Sequence, residues 1–169
     1  MTFELKISKG ISKEERYKLL LPQIDALIKD EINFIANISN ITSVLKYSFD
    51  NFLWVGFYFT DNNNPGELVL GPFQGRVACT RIKFGQGVCG TSAERKETII
   101  VNDVNEFPGH IVCDSLSKSE IVVPVLKNGK VLGVLDIDSE RYGNFDETDK
   151  KFLSKMLENI LNIFPDEKR

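Results

Sequence analysis

Cysteine is scarce in this chain, three residues with no fourth, and histidine and tryptophan occur once each in 169 residues. An odd thiol count at Cys79, Cys89 and Cys113, in a chain with no sign of export, argues against a disulfide-stapled scaffold. No C-x-x-C pair occurs either, so the usual structural zinc knuckle is missing. The opening M-T-F-E-L-K lacks a long apolar run, so neither a signal peptide nor a membrane-spanning helix is expected. A net charge of −3 without a basic cluster argues against nucleic acid as partner. These absences leave a cytoplasmic protein whose thiols are free, metal-bound or catalytic.

What is present is ordinary for a globular chain: 42% hydrophobic and 27% charged residues. Its length suits one domain and hides roughly 70% of the unfolded surface, so no covalent staple is needed. Up to Asp50 the chain reads mostly as helix, opened by a capping box of Ser12 and Glu15. Apolar residues recur at helical spacing at Ile24, Leu27, Ile28, Ile32, Ile35, Ile38, Ile41 and Leu45. Pro22 should start a second helix or kink the first. From Phe52 the period changes to two. Strands are expected at Phe52–Phe59, Glu67–Phe73, Val77–Ile82, Thr98–Val101, Ile121–Lys127 and Val131–Asp138. D-N-N-N-P-G reads as a loop and K-N-G-K as a tight hairpin. Gly87–Arg95 reads as a short helix entered from a glycine turn, and Asn102–Lys118 as a long loop. A last helix, capped by Asp146, carries an apolar face from Phe152 to Phe164. The sum is an α/β sandwich (α+β) of helices against one mostly antiparallel sheet.

Two strands carry groups that a core does not select. Alternation puts Leu132, Val134, Asp136 and Asp138 on one face of V-L-G-V-L-D-I-D, and Val131, Gly133, Leu135 and Ile137 on the other. Burying one ionised carboxylate without a partner costs several kcal/mol, and no Lys or Arg is adjacent along the strand. A strand end reaching solvent would explain the pair; a pocket for an ammonium group explains it better. In F-L-W-V-G-F-Y-F, Trp54 and Tyr58 share a face across Gly56, which leaves a hollow with π walls for a methyl, sulfur or cation. Aromatic residues on a strand are more often plain core, so this signal is weak alone.

Each cysteine taken singly is most often a small hydrophobe. Cys89, at the start of a helix in G-Q-G-V-C-G-T-S-A, should have its thiol pKa lowered by the helix dipole. Cys113 sits in the long loop, and Cys79 lies near Arg76 and Arg81, whose charge favours thiolate. With His110 the three thiols could form a three-sulfur, one-nitrogen zinc set, but their wide spacing makes no metal the expectation. His110 is otherwise a plain loop residue or an aid to the Cys113 thiolate.

Seven ordered segments carry a resemblance: W-V-G-F-Y, L-V-L-G-P-F-Q-G, A-C-T-R-I, G-x-G-V-C-G-T, D-V-x-x-F-P-G-H-I-x-C-D, S-E-I-V-V-P and G-V-L-D-I-D-S. Together they resemble the free methionine-(R)-sulfoxide reductases, stand-alone GAF domains, from roughly Pro22 to Phe164. The resemblance implies a single GAF domain at 22–164, its N- and C-terminal helices packed on one face of the sheet, with a helical extension at 1–21 and a tail at 165–169. It implies Cys113 as the attacking thiol, Cys79 as the resolving thiol and Cys89 as an auxiliary one, although the residues alone rank Cys89 first. Glu120, Asp136 and Asp138 resemble the acids that engage the substrate, and Trp54 and Tyr58 the wall around its S-methyl group. It further implies a cytoplasmic reductase of free methionine-(R)-sulfoxide, working through a sulfenic acid and a redox-active disulfide. Such an enzyme repairs oxidative damage, carries no bound cofactor and is recycled by an external dithiol such as thioredoxin. The preference for the R epimer is implied by the resemblance alone. An amphipathic helix ahead of the domain offers a surface for a homodimer. A GAF domain that only senses a ligand is the main alternative, and the discriminating residue is Cys113, which a pure sensor does not need.

Overall fold

Period-two alternation from residue 52 onward becomes a six-stranded sheet in the order β3-β2-β1-β6-β5-β4, with every neighbouring pair antiparallel. The computed structural model describes residues 5–6, 10–111 and 113–165. Strands β1 Phe52–Asp61, β2 Asn64–Gln74, β3 Arg81–Lys83, β4 Ile99–Val101, β5 Ser119–Lys127 and β6 Lys130–Ser139 form the sheet. Helices α1 Lys13–Ile28, α2 Phe34–Ser48 and α4 Glu147–Asn159 cover one face, and α3 Gly87–Arg95 packs on the other.

The helical face holds the larger core. Leu20 and Ile24 of α1, Ile41 and Leu45 of α2, and Leu153 of α4 are fully buried against Val55, Phe57, Ile121, Leu135 and Ile137. Each such side chain contributes roughly 1.5–3 kcal/mol of transfer free energy. Ser12 and Glu15 form the expected capping box on α1, and Asp146 with Asp149 forms another on α4.

Several expectations are corrected. Pro22 does not start a second helix, which leaves the other alternative, a proline inside the first. It lies inside α1, and burial of Leu20, Leu21 and Ile24 around it outweighs the lost backbone hydrogen bond. The domain boundary drawn at residue 22 therefore falls within this helix. Ile32 is 98% exposed in the α1–α2 connection and Ile35 is half exposed, so both leave the expected stripe. The strand expected at Val77–Ile82 shrinks to the edge strand Arg81–Lys83, because residues 75–80 loop back over the site. D-N-N-N-P-G is a tight hairpin, with Asp61 paired to Asn64 and the Asn63 amide donating to the Asp61 carboxylate at 2.9 Å. The K-N-G-K turn is as expected, with Asn128 and Gly129 both at positive φ (53° and 76°), which suits a primed hairpin turn.

Alternation along β6 holds at its chemical end and slips at its start. Leu135 and Ile137 face the helical core and Val134 faces α3. A bulge opposite Val125 and Leu126 adds one residue on β6, which turns Leu132 to the helical side and Val131 to the other.

Candidate active site

The face opposite the helices has two rows of residues running across the strands. One row is Trp54 (β1), Asp138 (β6), Glu120 (β5) and Val101 (β4); the next is Gly56, Asp136, Val122 and Ile99. Side chains directly opposite on one face come within about 4.5–5.5 Å at Cβ, so the register alone clusters the three acids. A narrow cavity opens above them. Residues 77–78, the start of α3 at 86–89, and His110, Ile111, Cys113, Asp114 and Ser117 close it.

Of the residues expected at a site, Trp54, Tyr58, Cys89, Cys113, Glu120, Asp136 and Asp138 all line this cavity. Cys79 lies beside it, and its thiol is in hydrogen-bonding reach of Cys113. All three cysteines are free thiols: Cys113 exposed, Cys79 half-buried, Cys89 buried.

No lysine or arginine lines the cavity among the described residues, and the acids respond to that. Burial, then the charge of Asp138, pushes the Glu120 carboxyl well above its usual range. Burial, then Glu120 and Asp138, does the same to Asp136. The two carboxyls are hydrogen-bonded to each other, so a shared proton holds at least one of them neutral. Asp136 Oδ1 is left buried with no hydrogen-bond partner. Asp138 is pushed up to about 6 by burial, against the stabilising effects of the Ser117 hydroxyl, which donates to it, and of His110. His110 Nε2 lies 3.6 Å from Glu120 Oε2, and burial keeps the imidazole below its usual range, so this contact is not a charged pair near neutral pH.

The thiols contradict the expectation drawn from local sequence. Cys89 does stand in the first turn of α3, but burial and then the nearby Asp136 and Glu120 charges push its thiol well up. Burial beside two acids outweighs a helix dipole worth about 0.3–1 kcal/mol. Instead of a thiolate, Cys89 is a neutral thiol hydrogen-bonded to Asp136. The arginines near Cys79 are engaged elsewhere. Arg81 Nη1 reaches Asp61 and Glu67 at 2.7 Å each, and Arg76 pairs with Asp114 at 3.7 Å. Cys113 belongs to an exposed residue, but its thiol turns toward Cys79 and Asp136. Burial, then the Cys79 hydrogen bond, pushes it up to about 12.

The hollow expected over Gly56 is closed. A Cβ there would come within 2.2 Å of the Trp54 ring, so glycine is required because the indole lies flat across it. The ring stacks on Phe73 at 5.4 Å and Tyr58 at 6.0 Å, and its N–H donates to the Arg76 carbonyl at 3.0 Å. Burial, then Asp136, raises the Tyr58 phenol, which stays a neutral donor. Sequence reasoning missed Ser117 and Asp114. Ser117 is one of several serines in D-S-L-S-K-S, and nothing in that run distinguishes it. Asp114 Oδ2 is a second buried atom without a partner.

This arrangement can make and break one disulfide beside a seat for a small cation. Comparisons with known proteins agree in kind. Residues 40–163 match the GAF domain family. The chain is 56% identical over 162 residues to GAF domain-containing protein A of Dictyostelium discoideum, covering 96% of this chain and 100% of that protein. It is 48% identical over 158 residues to the free methionine-R-sulfoxide reductase of Saccharomyces cerevisiae, covering 90% of this chain and 88% of that one. The solved structure of free methionine-R-sulfoxide reductase from Neisseria meningitidis, in complex with its substrate, superposes with a TM-score of 0.92 at 45% identity, covering 96% of each chain.

Proposed function

The chain belongs to the GAF domain family, as an enzyme of the free methionine-R-sulfoxide reductase type, and from that membership we propose that its three thiols, with the acids Glu120, Asp136 and Asp138, reduce free methionine-(R)-sulfoxide to methionine. The observation that carries this reading is the orphaned Oδ1 of Asp136 in the cavity where the Cys113 and Cys79 thiols meet. A free ammonium satisfies that oxygen, whereas a peptide-bound methionine brings only a neutral amide. A buried polar group left unpaired by the wrong substrate is a strong basis for discrimination. The α-carboxylate has no basic side chain to meet among the cavity's described residues. It is matched by the start of α3, whose cap residue Gln86 makes no side-chain hydrogen bond to the free amides of the first turn.

In the first step the Cys113 sulfur attacks the sulfoxide sulfur. A neutral Glu120 or Asp136 gives its proton to the departing oxygen, and the thiol proton returns to the acid site. The protonated oxygen then passes to the Cys113 sulfur: a new sulfur–oxygen bond forms there as the transient sulfur–sulfur bond and the old sulfur–oxygen bond break, so methionine leaves and Cys113 is a sulfenic acid. The high resting pKa of Cys113 fits an attack in which substrate oxygen and buried acids carry the proton, with no thiolate stored beforehand. Cys79 then condenses with the sulfenic acid, releasing water and forming the disulfide. An external dithiol such as thioredoxin reduces it by exchange in a reducing compartment such as the cytoplasm. Both electrons pass through the thiols, so the cycle needs no bound cofactor. Cys89 stays a buried hydrogen-bond donor that orients Asp136, and Trp54 and Tyr58 form the wall at the S-methyl end.

The test is a single turnover by pre-reduced protein, with the free R form, the S epimer and an N-acetylated R form in parallel. Stoichiometric methionine from the free R form alone, with two thiols lost, is expected. Cys113→Ser should give none, and Cys79→Ser should give one turnover without thioredoxin-driven recycling. Equal yield from Cys113→Ser and the parent protein would sink the assignment. No product from any form would point to a ligand-sensing GAF module.

A further inference from the structure

The sequence offered the three thiols and His110 as a candidate zinc set. The structure divides those groups differently. Cys79 pairs with Cys113, while the Cys89 sulfur, a Glu120 oxygen and an Asp136 oxygen all lie within 4.8 Å of one another. All three residues of this second group are buried, and Asp136, only 7% exposed, lines the cavity and keeps one oxygen without a hydrogen-bond partner.

We infer that Cys89, Glu120 and Asp136 form a binding site for one borderline-soft divalent cation of the zinc class. The donor set selects the metal. One thiolate with two carboxylate oxygens suits zinc or cobalt, whereas magnesium and calcium take oxygen ligands alone. Three potential anions face no Lys or Arg among the described cavity residues, so a dication relieves a repulsion the fold itself has built. Binding displaces the Cys89 thiol proton and the proton shared by the carboxyls into solvent. A water can complete a tetrahedron. The redox pair Cys79–Cys113 is not consumed. Because the metal draws on the same Asp136 carboxylate assigned above to the substrate's ammonium, the two exclude each other, and this second half rests on the proposed function.

The test uses full-length, fully reduced protein under anaerobic conditions, titrated with Co²⁺ as a coloured zinc surrogate. A thiolate-to-cobalt charge-transfer band in the near ultraviolet should saturate at one equivalent and disappear on adding Zn²⁺. It should persist in the Cys79→Ser/Cys113→Ser double variant and vanish in Cys89→Ser. Should Cys89→Ser fail to fold, Glu120→Gln supplies the same test, with apparent affinity expected to fall at least tenfold. Loss of the band in the double variant with retention in Cys89→Ser would overturn the site, as would no band in the parent. Free methionine, the product, should displace the metal, whereas N-acetylmethionine should not. A band that survives saturating methionine would leave the metal site standing and overturn the reading of Asp136 as the ammonium's seat.

Discussion

Two buried aspartates, one on each side of the sheet, show how differently the two layers are built. Asp149 on α4 is fully buried under the helices. It accepts from the Tyr17 hydroxyl at 2.8 Å, the Asp146 amide at 2.9 Å and the Lys13 ammonium. Asp136 on β6 is buried almost as deeply, but it meets only another acid and a thiol, and one oxygen has no partner. The helical layer satisfies its charge and gains stability. The site layer leaves its charge incomplete, and a ligand can supply the missing partner. Unpaired buried carboxyls cost several kcal/mol wherever they occur, so a ligand that pairs with them on the site face recovers part of that cost.

That contrast can be broken from either side. The largest effect is expected from Asp149→Ala, which strips the Tyr17 hydroxyl and Lys13 of their partner and removes a capping-box residue. A loss of roughly 3 kcal/mol is expected, read as a lower urea midpoint with an unchanged slope. Single-turnover chemistry in the folded fraction should not change. Asp136→Asn should move stability the other way while reducing use of free methionine-(R)-sulfoxide about 10–100-fold. Its thermal midpoint should rise by about 2–4 °C for each kcal/mol of repulsion relieved. A fall in the midpoint would mean that Asp136 is a structural residue like Asp149.

A smaller effect concerns Asp138. Its folded pKa of about 6 stands above the ordinary 3.8 of an aspartate, so the folded state holds the proton more tightly than the unfolded chain. The stability this provides is complete below pH 4 and is lost as pH rises through about 6. The gain in thermal midpoint from Asp138→Asn should therefore be near zero at pH 4 and reach its full value by pH 7. A gain independent of pH would remove Asp138 from the set of strained acids.

Much of this arrangement was legible because a strand alternates with period two. Trp54, Tyr58, Asp136 and Asp138 could be assigned to common faces from spacing alone, and β1–β6 pairing then brings both faces together. Glu120 and the Cys79–Cys113 meeting were not legible from spacing. They depend on β5 lying beside β6 and on two loops closing over one cavity, which only the assembled sheet determines. Local cues misled where burial opposed them. Cys89 at a helix start is not acidified because it is buried and faces two acids. The Gly56 hollow failed for a related reason: spacing sets the direction of a side chain but not where an indole comes to rest.

Trp54 is the chain's only tryptophan, and its N–H is tied to the carbonyl of Arg76, in the same short loop as Cys79. On the proposed reaction, the indole is therefore a built-in optical reporter of the thiol chemistry. Closing a Cys79–Cys113 bond pulls on the loop that holds the indole, so emission intensity and wavelength should change in step with disulfide formation, with no label attached. Stopped-flow fluorescence could then separate oxygen transfer from disulfide closure within one trace, with Cys79→Ser, in which only the first can occur, as the reference.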